Sequence, residues 1–321
     1  MDLRTGVAFG EDVTLDSLRA DGYDAVLLTV GCHQGLALGC PGDEAQGVAD
    51  AVEFLRDLAL GRQPGVGRRV AVIGGGDTAV DSARSALRLG AEEVHLVYRR
   101  TREEMPAHPA EIEEALHEGI QLHLLAAPLR VLEQAGRVVG LVCQQMQLGD
   151  FDRSGRRRPL PVEGAELTFD VDMVIPAIGQ RLEESVTCVA TERGKLCADP
   201  RTLATEVDGV FAAGDATEGP MTVVDAIADG HRVAQAIHSR LSGEPLPPAR
   251  KRAKTRVTAE VMARFEAAAE QERPAAEAQR IPDAYRRSGF AEVELGFSLP
   301  VACREAARCL HCDCVIIEEE S

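Results

Sequence analysis

The sequence predicts an α/β fold in which one three-layer domain is inserted into a second, incomplete one, with a separate C-terminal tail. Three observations predict it. A strand, a glycine turn, a helix and a second strand follow one another without a break between residues 68 and 100. An apolar strand of one pattern occurs twice, once on each side of that unit. A later apolar strand ends in Gly214-Asp215 and leads into a long helical stretch.

In the first unit, Arg69-Val70-Ala71-Val72-Ile73 is a short apolar run of the buried-strand kind. It passes directly into Gly74-Gly75-Gly76-Asp77-Thr78-Ala79, a G-x-G-x-x-A turn. Ala79, Val80, Ala83, Ala86 and Leu87 then recur at helical spacing, Gly90 supplies a stop, and Val94 to Tyr98 form the next strand. Such a turn lets a pyrophosphate approach bare backbone: Gly74 allows the tight turn, Gly76 keeps side-chain atoms away from the phosphates, and Ala79 lets helix and strand pack closely. The helix start adds unpaired N–H groups and the positive end of its dipole. The expectation is a Rossmann-like domain that binds a dinucleotide at Gly74, Gly75, Gly76, Asp77 and Thr78. Where an NAD site usually carries an acid, this chain has Tyr98-Arg99-Arg100-Thr101-Arg102. Arg99 and Arg100 are therefore candidates for a 2′-phosphate, which favours NADP(H) over NAD. A solvated basic strand end is the plainer alternative.

Composition narrows the function classes. The chain has 321 residues, 45% of them hydrophobic, enough for two domains with real cores. With 52 acidic against 35 basic residues its formal charge is -17, which argues against nucleic acid and anionic membranes as partners. Tryptophan is lacking and aromatics are 3%, so base-stacking platforms are not expected. No apolar run reaches membrane-span length and the first residues do not read as a signal peptide, so a cytoplasmic protein is expected. Nine cysteines, four of them clustered between Cys303 and Cys314, fit a reducing compartment better than a disulfide framework.

In chain order, a short helix is expected over residues 14–20 and a buried strand over Tyr23 to Gly31. A turn at Cys40-Pro41-Gly42 precedes an amphipathic helix over residues 48–60. The strand at 24–31 is echoed at 172–179: both read Asp-x-Val-(Leu or Ile)-x-x-(Val or Ile)-Gly, ending in Gly31 and Gly179. The echo suggests that each domain closes its nucleotide site with the same kind of strand, which makes Gly179 a candidate binding position. Chance similarity of two apolar strands is the alternative. Between the copies, a helix at 109–119 precedes strands at 120–124, 129–132 and 138–145. Gly149 to Pro161 reads as a polar, arginine-rich hairpin tip without assigned function.

The stretch Gly209 to Ala216 is an apolar strand ending in Gly-Asp, followed by Gly219-Pro220-Met221 and a helix over 222–241. Val223, Ile227, Ala234, Ile237 and Leu241 are its expected inward positions. The backbone at Gly214 can approach a ligand, the Asp215 carboxylate can accept from ribityl-type hydroxyls, and the helix start at Thr222 and Val223 suits the electron-rich edge of a flavin. A turn with a cap is the plainer reading of Gly-Asp before a helix.

These pieces resemble the glutamate synthase small-subunit family, two-domain FAD and NADPH oxidoreductases of the disulfide-reductase-like flavoprotein class. The resemblance rests on Val72 to Ala79, on Val97 to Ala107 with its Met105-Pro106-Ala107, on Ala213-Gly214-Asp215, and on Thr222 to Ile227. It implies NADPH at Gly74 to Thr78 with Arg99 and Arg100, and FAD at Gly214, Asp215, Thr222 and Val223. The chain departs from the family in one respect: neither the N-terminal FAD fingerprint nor the cysteine-rich region before it occurs ahead of Tyr23. Three explanations stay open: a truncated gene, a separate polypeptide that supplies the half-site, or NADP(H) binding without flavin chemistry.

Pro245-Leu246-Pro247-Pro248 reads as a linker, and the tail ends with Cys303, Cys309, Cys312 and Cys314. Thiolates at such spacing suit a 4Fe-4S cluster or zinc, and a disordered or redox-inert tail is the third reading. The expected domains are 1–60 with 180–245 (FAD-type), 61–179 (NADP-binding) and 246–321 (linker, helix and tail). The expected function is an oxidoreductase subunit that passes electrons from NADPH through FAD to a partner protein. A non-catalytic NADP-binding subunit of a larger redox complex is the alternative. A thioredoxin-reductase-like dithiol enzyme fits less well, since the NADP-binding region holds no C-x-x-C.

Overall fold

The computed structural model describes residues 2–152, 155–183, 188–248, 255–269, 274–307 and 314–316. The chain divides into two compact units, Met1–Pro247 and Pro248–Ser321. The division falls at the proline-rich linker.

In the first unit, helix α1 (Leu15–Ala20) starts at Thr14, whose side chain accepts from the Ser17 N–H. Strands β1 (Val26–Leu28) and β2 (Gln34–Gly35) follow, then α2 (Ala51–Ala59), capped by the Asp50 carboxylate. The glycine unit is β3 (Arg69–Ile73), α3 (Asp77–Arg88) and β4 (Glu93–Tyr98), continued by α4 (Pro109–His117) and β5 (Gln121–Leu124). An antiparallel meander comes next: β6 (Ala126–Gln134), β7 (Arg137–Phe151) and β8 (Arg157–Phe169). The chain returns through β9 (Met173–Pro176), β10 (Gln180–Arg181), β11 (Thr191–Glu192), β12 (Lys195–Leu196) and β13 (Val210–Ala212) to helices α5 (Asp215–Glu218) and α6 (Val223–Ser242).

The central sheet has the order β5-β4-β3-β9, with every pair parallel. Its connections run from β3 towards β4 on one side and return to β9 on the other. The carboxyl end of β3 is therefore a topological switch point, where such sheets open a crevice for a ligand. Both faces of the sheet are covered. Val70 and Val72 face α2, α3 and α4, while Ala71 and Ile73 face the β6–β8 meander. Burying a valine or isoleucine there contributes about 1.5–3 kcal/mol each. The expected apolar face of α3 is realised: Ala79, Val80, Ala83 and Ala86 are fully buried. Ala51 and Phe54 of α2 share that core, and Ala45 lies in the core on the other face.

A separate sheet of this unit is a parallel pair, β1 and β13, in the register Val26↔Val210. The two echoed strands thus lie in different sheets. β9 neighbours the strand of the glycine turn, and β1 neighbours the strand that ends in Gly-Asp.

Two expectations are corrected. The polar hairpin tip expected over 149–161 is a hairpin, but its tip is narrower: β7 runs on to Phe151, and β8 pairs with it from Arg157, as Leu148↔Pro159 and Phe151↔Arg157. The second correction concerns α6. Asp229, Val233 and Ala236 form its buried face, whereas the expected inward Val223, Ile227, Ala234 and Leu241 are exposed and Ile237 is half-buried. The sequence pattern carries two apolar stripes, as in a helix covered from both sides, and among the described residues only one is covered.

The second unit holds β14 (Thr255–Val257), α7 (Ala259–Ala269), α8 (Asp283–Arg286), α9 (Leu299–Ala306) and β15 (Cys314–Ile316), with β14 and β15 parallel. No helix among the described residues is long and apolar enough to cross a membrane.

Candidate functional site: two adjoining cavities

The glycine turn forms one wall of a cavity of about 640 Å³ at the carboxyl ends of the central strands. Each glycine has its own physical reason. Gly74 has φ +151, and a Cβ there would stand 2.3 Å from the Ala177 carbonyl oxygen. At Gly75 a Cβ would stand 2.6 Å from the Tyr98 ring. Around Gly76 the space is open, with Pro106 the nearest neighbour at 3.9 Å. The first two glycines are thus required by the protein's own packing. Gly76 leaves room for something else, as a phosphate cradle does.

The distinctive run through Met105-Pro106-Ala107 holds this turn in place. Its Ala107 N–H donates to Gly75 O at 3.0 Å, and the His108 N–H donates to Asp77 Oδ1 at 3.0 Å. Tyr98 donates its hydroxyl to Glu104 O at 2.7 Å, which fixes the ring over Gly75. Thr101 and Glu104 cap the short turn between them. Sequence reasoning assigned Asp77 to the ligand, and the structure engages its carboxylate with the His108 backbone. Thr78 lines the cavity. So does Gly179, whose carbonyl accepts from the Leu36 N–H at 3.1 Å.

The two arginines expected to bind a phosphate differ in placement. Arg99 is exposed to the cavity. Partial burial and the neighbouring guanidiniums of Arg100 and Arg156 hold its pKa below the usual guanidinium value. Arg100 is buried at 4% exposure and is already engaged. Its Nη2 donates to Asp152 Oδ2 at 2.9 Å and its Nε to Arg157 O at 2.7 Å. It ties the β7–β8 hairpin tip to the end of β4. Arg156, from the same tip, lines the cavity as well. Sequence reasoning passed over it, although the run Gly155-Arg156-Arg157-Arg158 was visible.

A second cavity, of about 380 Å³, opens at the carboxyl ends of β1 and β13. Thr29, Gly31 and His33 line it from the segment that follows β1, and Ala213, Gly214 and Asp215 from the segment that follows β13. Gly214 has φ +70 with open space around it, and its N–H donates to Asp229 Oδ2 at 3.1 Å. Asp229 is nearly fully buried on α6 and also pairs with Arg232. It was missed in the sequence, although an acid on the stripe with Val233 and Ala236 was the available signal. Asp215 Oδ1 accepts from the Met221 N–H at 3.2 Å, and Thr222 caps α6 in a reciprocal box with Asp225. Thr222 and Val223 line this cavity. Consecutive residues of one turn line both cavities: Pro220 the first, Met221 and Thr222 the second.

Of the four candidate metal-binding cysteines, Cys303 is exposed on α9. Cys309 and Cys312 lie outside the described residues, and Cys314 is described only as part of β15.

A Gly-rich switch-point cavity joined by one turn to a second strand-end cavity defines a protein with two dinucleotide-type sites. The model of the family described as "Pyridine nucleotide-disulphide oxidoreductase" matches residues 3–230, and the chain belongs to that family. It is 43% identical over 319 residues to the NADP(+)-dependent formate dehydrogenase subunit beta of Moorella thermoacetica, covering 94% of this chain and 44% of that one. To the NADPH-Fe(3+) oxidoreductase subunit beta of Geobacter sulfurreducens it is 40% identical over 266 residues, covering 74% and 39%. To the glutamate synthase (NADPH) small chain of Azospirillum brasilense it is 35% identical over 248 residues, covering 72% and 51%. The chain spans about half or less of the length of these relatives. Among solved structures, FprA of Mycobacterium tuberculosis in complex with NADPH superposes with a TM-score of 0.64 at 19% identity, over 74% of this chain and 68% of that one. Thioredoxin reductase of T. acidophilum gives 0.52 at 22%, over 68% and 66%. At these identities the likeness is one of fold.

Proposed function

We propose that this chain is the NADPH-oxidising part of a multisubunit redox enzyme in which electrons pass from NADPH to FAD and on to a partner protein. The observation that carries the reading is the junction at Pro220 and Met221, where a dinucleotide cavity and a second strand-end cavity share one turn. Two bound cofactors would meet there. The relatives with NADP or NADPH in their names, which are beta or small chains, agree with it.

In this reading the turn from Gly74 to Thr78 takes the NADPH pyrophosphate on backbone N–H groups, and Arg99 faces the 2′-phosphate. Gly214, held by Asp229, gives the flavin's ribityl chain close access to backbone, Asp215 offers a carboxylate to its hydroxyls, and the start of α6 at Thr222 and Val223 faces its electron-rich edge. FAD bound there supplies a two-electron acceptor that can release electrons singly. The protein's own contribution is binding, orientation and exclusion of water, so no acid-base residue is assigned. The β1–β13 pair provides only part of an FAD-type domain. Cys303, Cys309, Cys312 and Cys314 offer thiolates for a 4Fe-4S cluster, and iron and acid-labile sulfide content tests that.

The test of the function is the anaerobic visible spectrum of the complex containing this chain, before and after NADPH. Flavin bands that bleach support the reading. Flavin bands that NADPH leaves unchanged overturn it, and a flavin-free complex that binds NADPH would favour the non-catalytic alternative.

A further inference from the structure

The hairpin tip between β7 and β8, which carried no role in the sequence, reaches the wall of the larger cavity. Among the described residues the charged side chains lining that cavity are Arg99, Arg100 and Arg156, and no carboxylate lines it. A cavity walled by arginines favours an anionic ligand. They do not share one role. Arg100 is buried and directed at the tip, where Asp152 takes one of its nitrogens and the Arg157 carbonyl another. Asp152 in turn organises the tip around itself. Its N–H donates to Arg156 O at 2.7 Å, its Oδ1 accepts from the Arg156 N–H at 3.3 Å, and its carbonyl accepts from the Gly155 N–H at 3.0 Å. The backbone of Arg156 is thereby fixed relative to the end of β4, where Arg99 stands.

We propose that Arg156 is a specificity-determining residue that grips the 2′-phosphate of NADP(H) together with Arg99, and that the Arg100–Asp152 pair is the positioning device that delivers it. The inference rests on the reading of this cavity as the NADP(H) site. A phosphate dianion has room for two guanidinium forks, and a planar fork gains most when its backbone is held in place. Preference for NADP(H) over NAD(H) then depends on a hairpin some fifty residues beyond the strand end where such preference is usually sought.

The experiment is calorimetric titration of the full chain with NADPH, NADH and 2′-phospho-ADP-ribose, for the wild type and for Arg156→Ala, Arg156→Lys, Asp152→Asn and Arg99→Ala. Thermal unfolding is run alongside to confirm that each variant folds. The expected result is a loss of about tenfold or more in NADPH and 2′-phospho-ADP-ribose affinity for Arg156→Ala, roughly the worth of one charge-assisted contact, with NADH binding unchanged. Arg156→Lys should recover part of the loss. Asp152→Asn should lower the NADPH-to-NADH preference while leaving NADH binding intact, which general destabilisation would not do. The proposal is overturned if Arg156→Ala keeps the wild-type preference while Arg99→Ala loses it. It also falls if Arg156→Ala weakens both dinucleotides equally. If the wild type itself binds NADPH and NADH alike, the reading of the cavity as an NADP(H) site fails with it.

Discussion

Replacing Gly75 and Gly76 separately by alanine gives opposite outcomes, because the two neighbours face different surroundings. A Cβ at Gly75 would lie 2.6 Å from two atoms of the Tyr98 ring, well inside van der Waals contact. The ring cannot swing aside freely, since its hydroxyl donates to Glu104 O at 2.7 Å. The backbone cannot retreat either, since Gly75 O accepts from the Ala107 N–H at 3.0 Å. Relief requires overpacking strain of about 1–3 kcal/mol together with the loss of one of these hydrogen bonds at about 1 kcal/mol, so Gly75→Ala should destabilise the first unit by about 2–4 kcal/mol. At Gly76 a Cβ meets nothing closer than 3.9 Å, and its φ of −93 suits any residue. Gly76→Ala should therefore leave stability within about 0.5–1 kcal/mol of wild type, the range expected from reduced freedom of the unfolded chain. It should nevertheless weaken NADPH binding by tenfold or more, because the methyl group stands where the pyrophosphate comes close. Urea denaturation and nicotinamide fluorescence titration measure the two effects. Wild-type stability for Gly75→Ala, or undiminished binding for Gly76→Ala, would refute the division of labour between the glycines.

Other expectations concern parts of the fold further from the ligand. Glu118 is buried at 1% exposure, accepting from Arg84 and Arg88 of α3 at 2.8 Å each, and these arginines hold its carboxyl below the usual range despite burial. Glu118→Ala removes the buried carboxylate that Arg84 and Arg88 share, leaving Arg84 with Glu111, and should cost about 3–5 kcal/mol in denaturant unfolding. His95 Nδ1 and His123 Nε2 lie 3.0 Å apart, and burial lowers both rings below their ordinary 6.5. The unfolded chain then binds protons that the folded chain resists, so stability present above pH 6.5 should fall as pH drops below it. Urea midpoints across roughly pH 5 to 8 should show this, and His95→Gln should flatten the acid limb. An unchanged limb would remove the histidine pair from the account. Ile227→Ser on the exposed stripe of α6 should shift the stability of the isolated chain by less than about 0.5 kcal/mol.

The glycine unit was legible in the sequence because its signals are local: β3, the turn, α3 and β4 are contiguous, and each residue's role follows from its neighbours in the chain. The strand echo was legible too, and its two copies lie in different sheets, each beside the strand that leads into one cavity. What could not be read was set by contacts distant in sequence. Arg100 looked like a ligand beside Arg99, but its partner Asp152 lies fifty-two residues on, in a hairpin whose polar composition resembled a loop. The role of Gly75 depends on a ring brought over it by β4, and that of Asp229 on a turn fifteen residues earlier. The inward face of α6 was misjudged because periodicity identifies apolar stripes without saying which one the available partner covers.

The measurement that bears most directly on the central claim is a paired titration of the purified chain with NADPH and with NADH, followed by nicotinamide fluorescence under anaerobic conditions. The account predicts saturable binding of NADPH, at least tenfold tighter than that of NADH, as expected of a cavity whose charged walls are arginines. Equal affinity for the two, or no saturable binding of either, would contradict it.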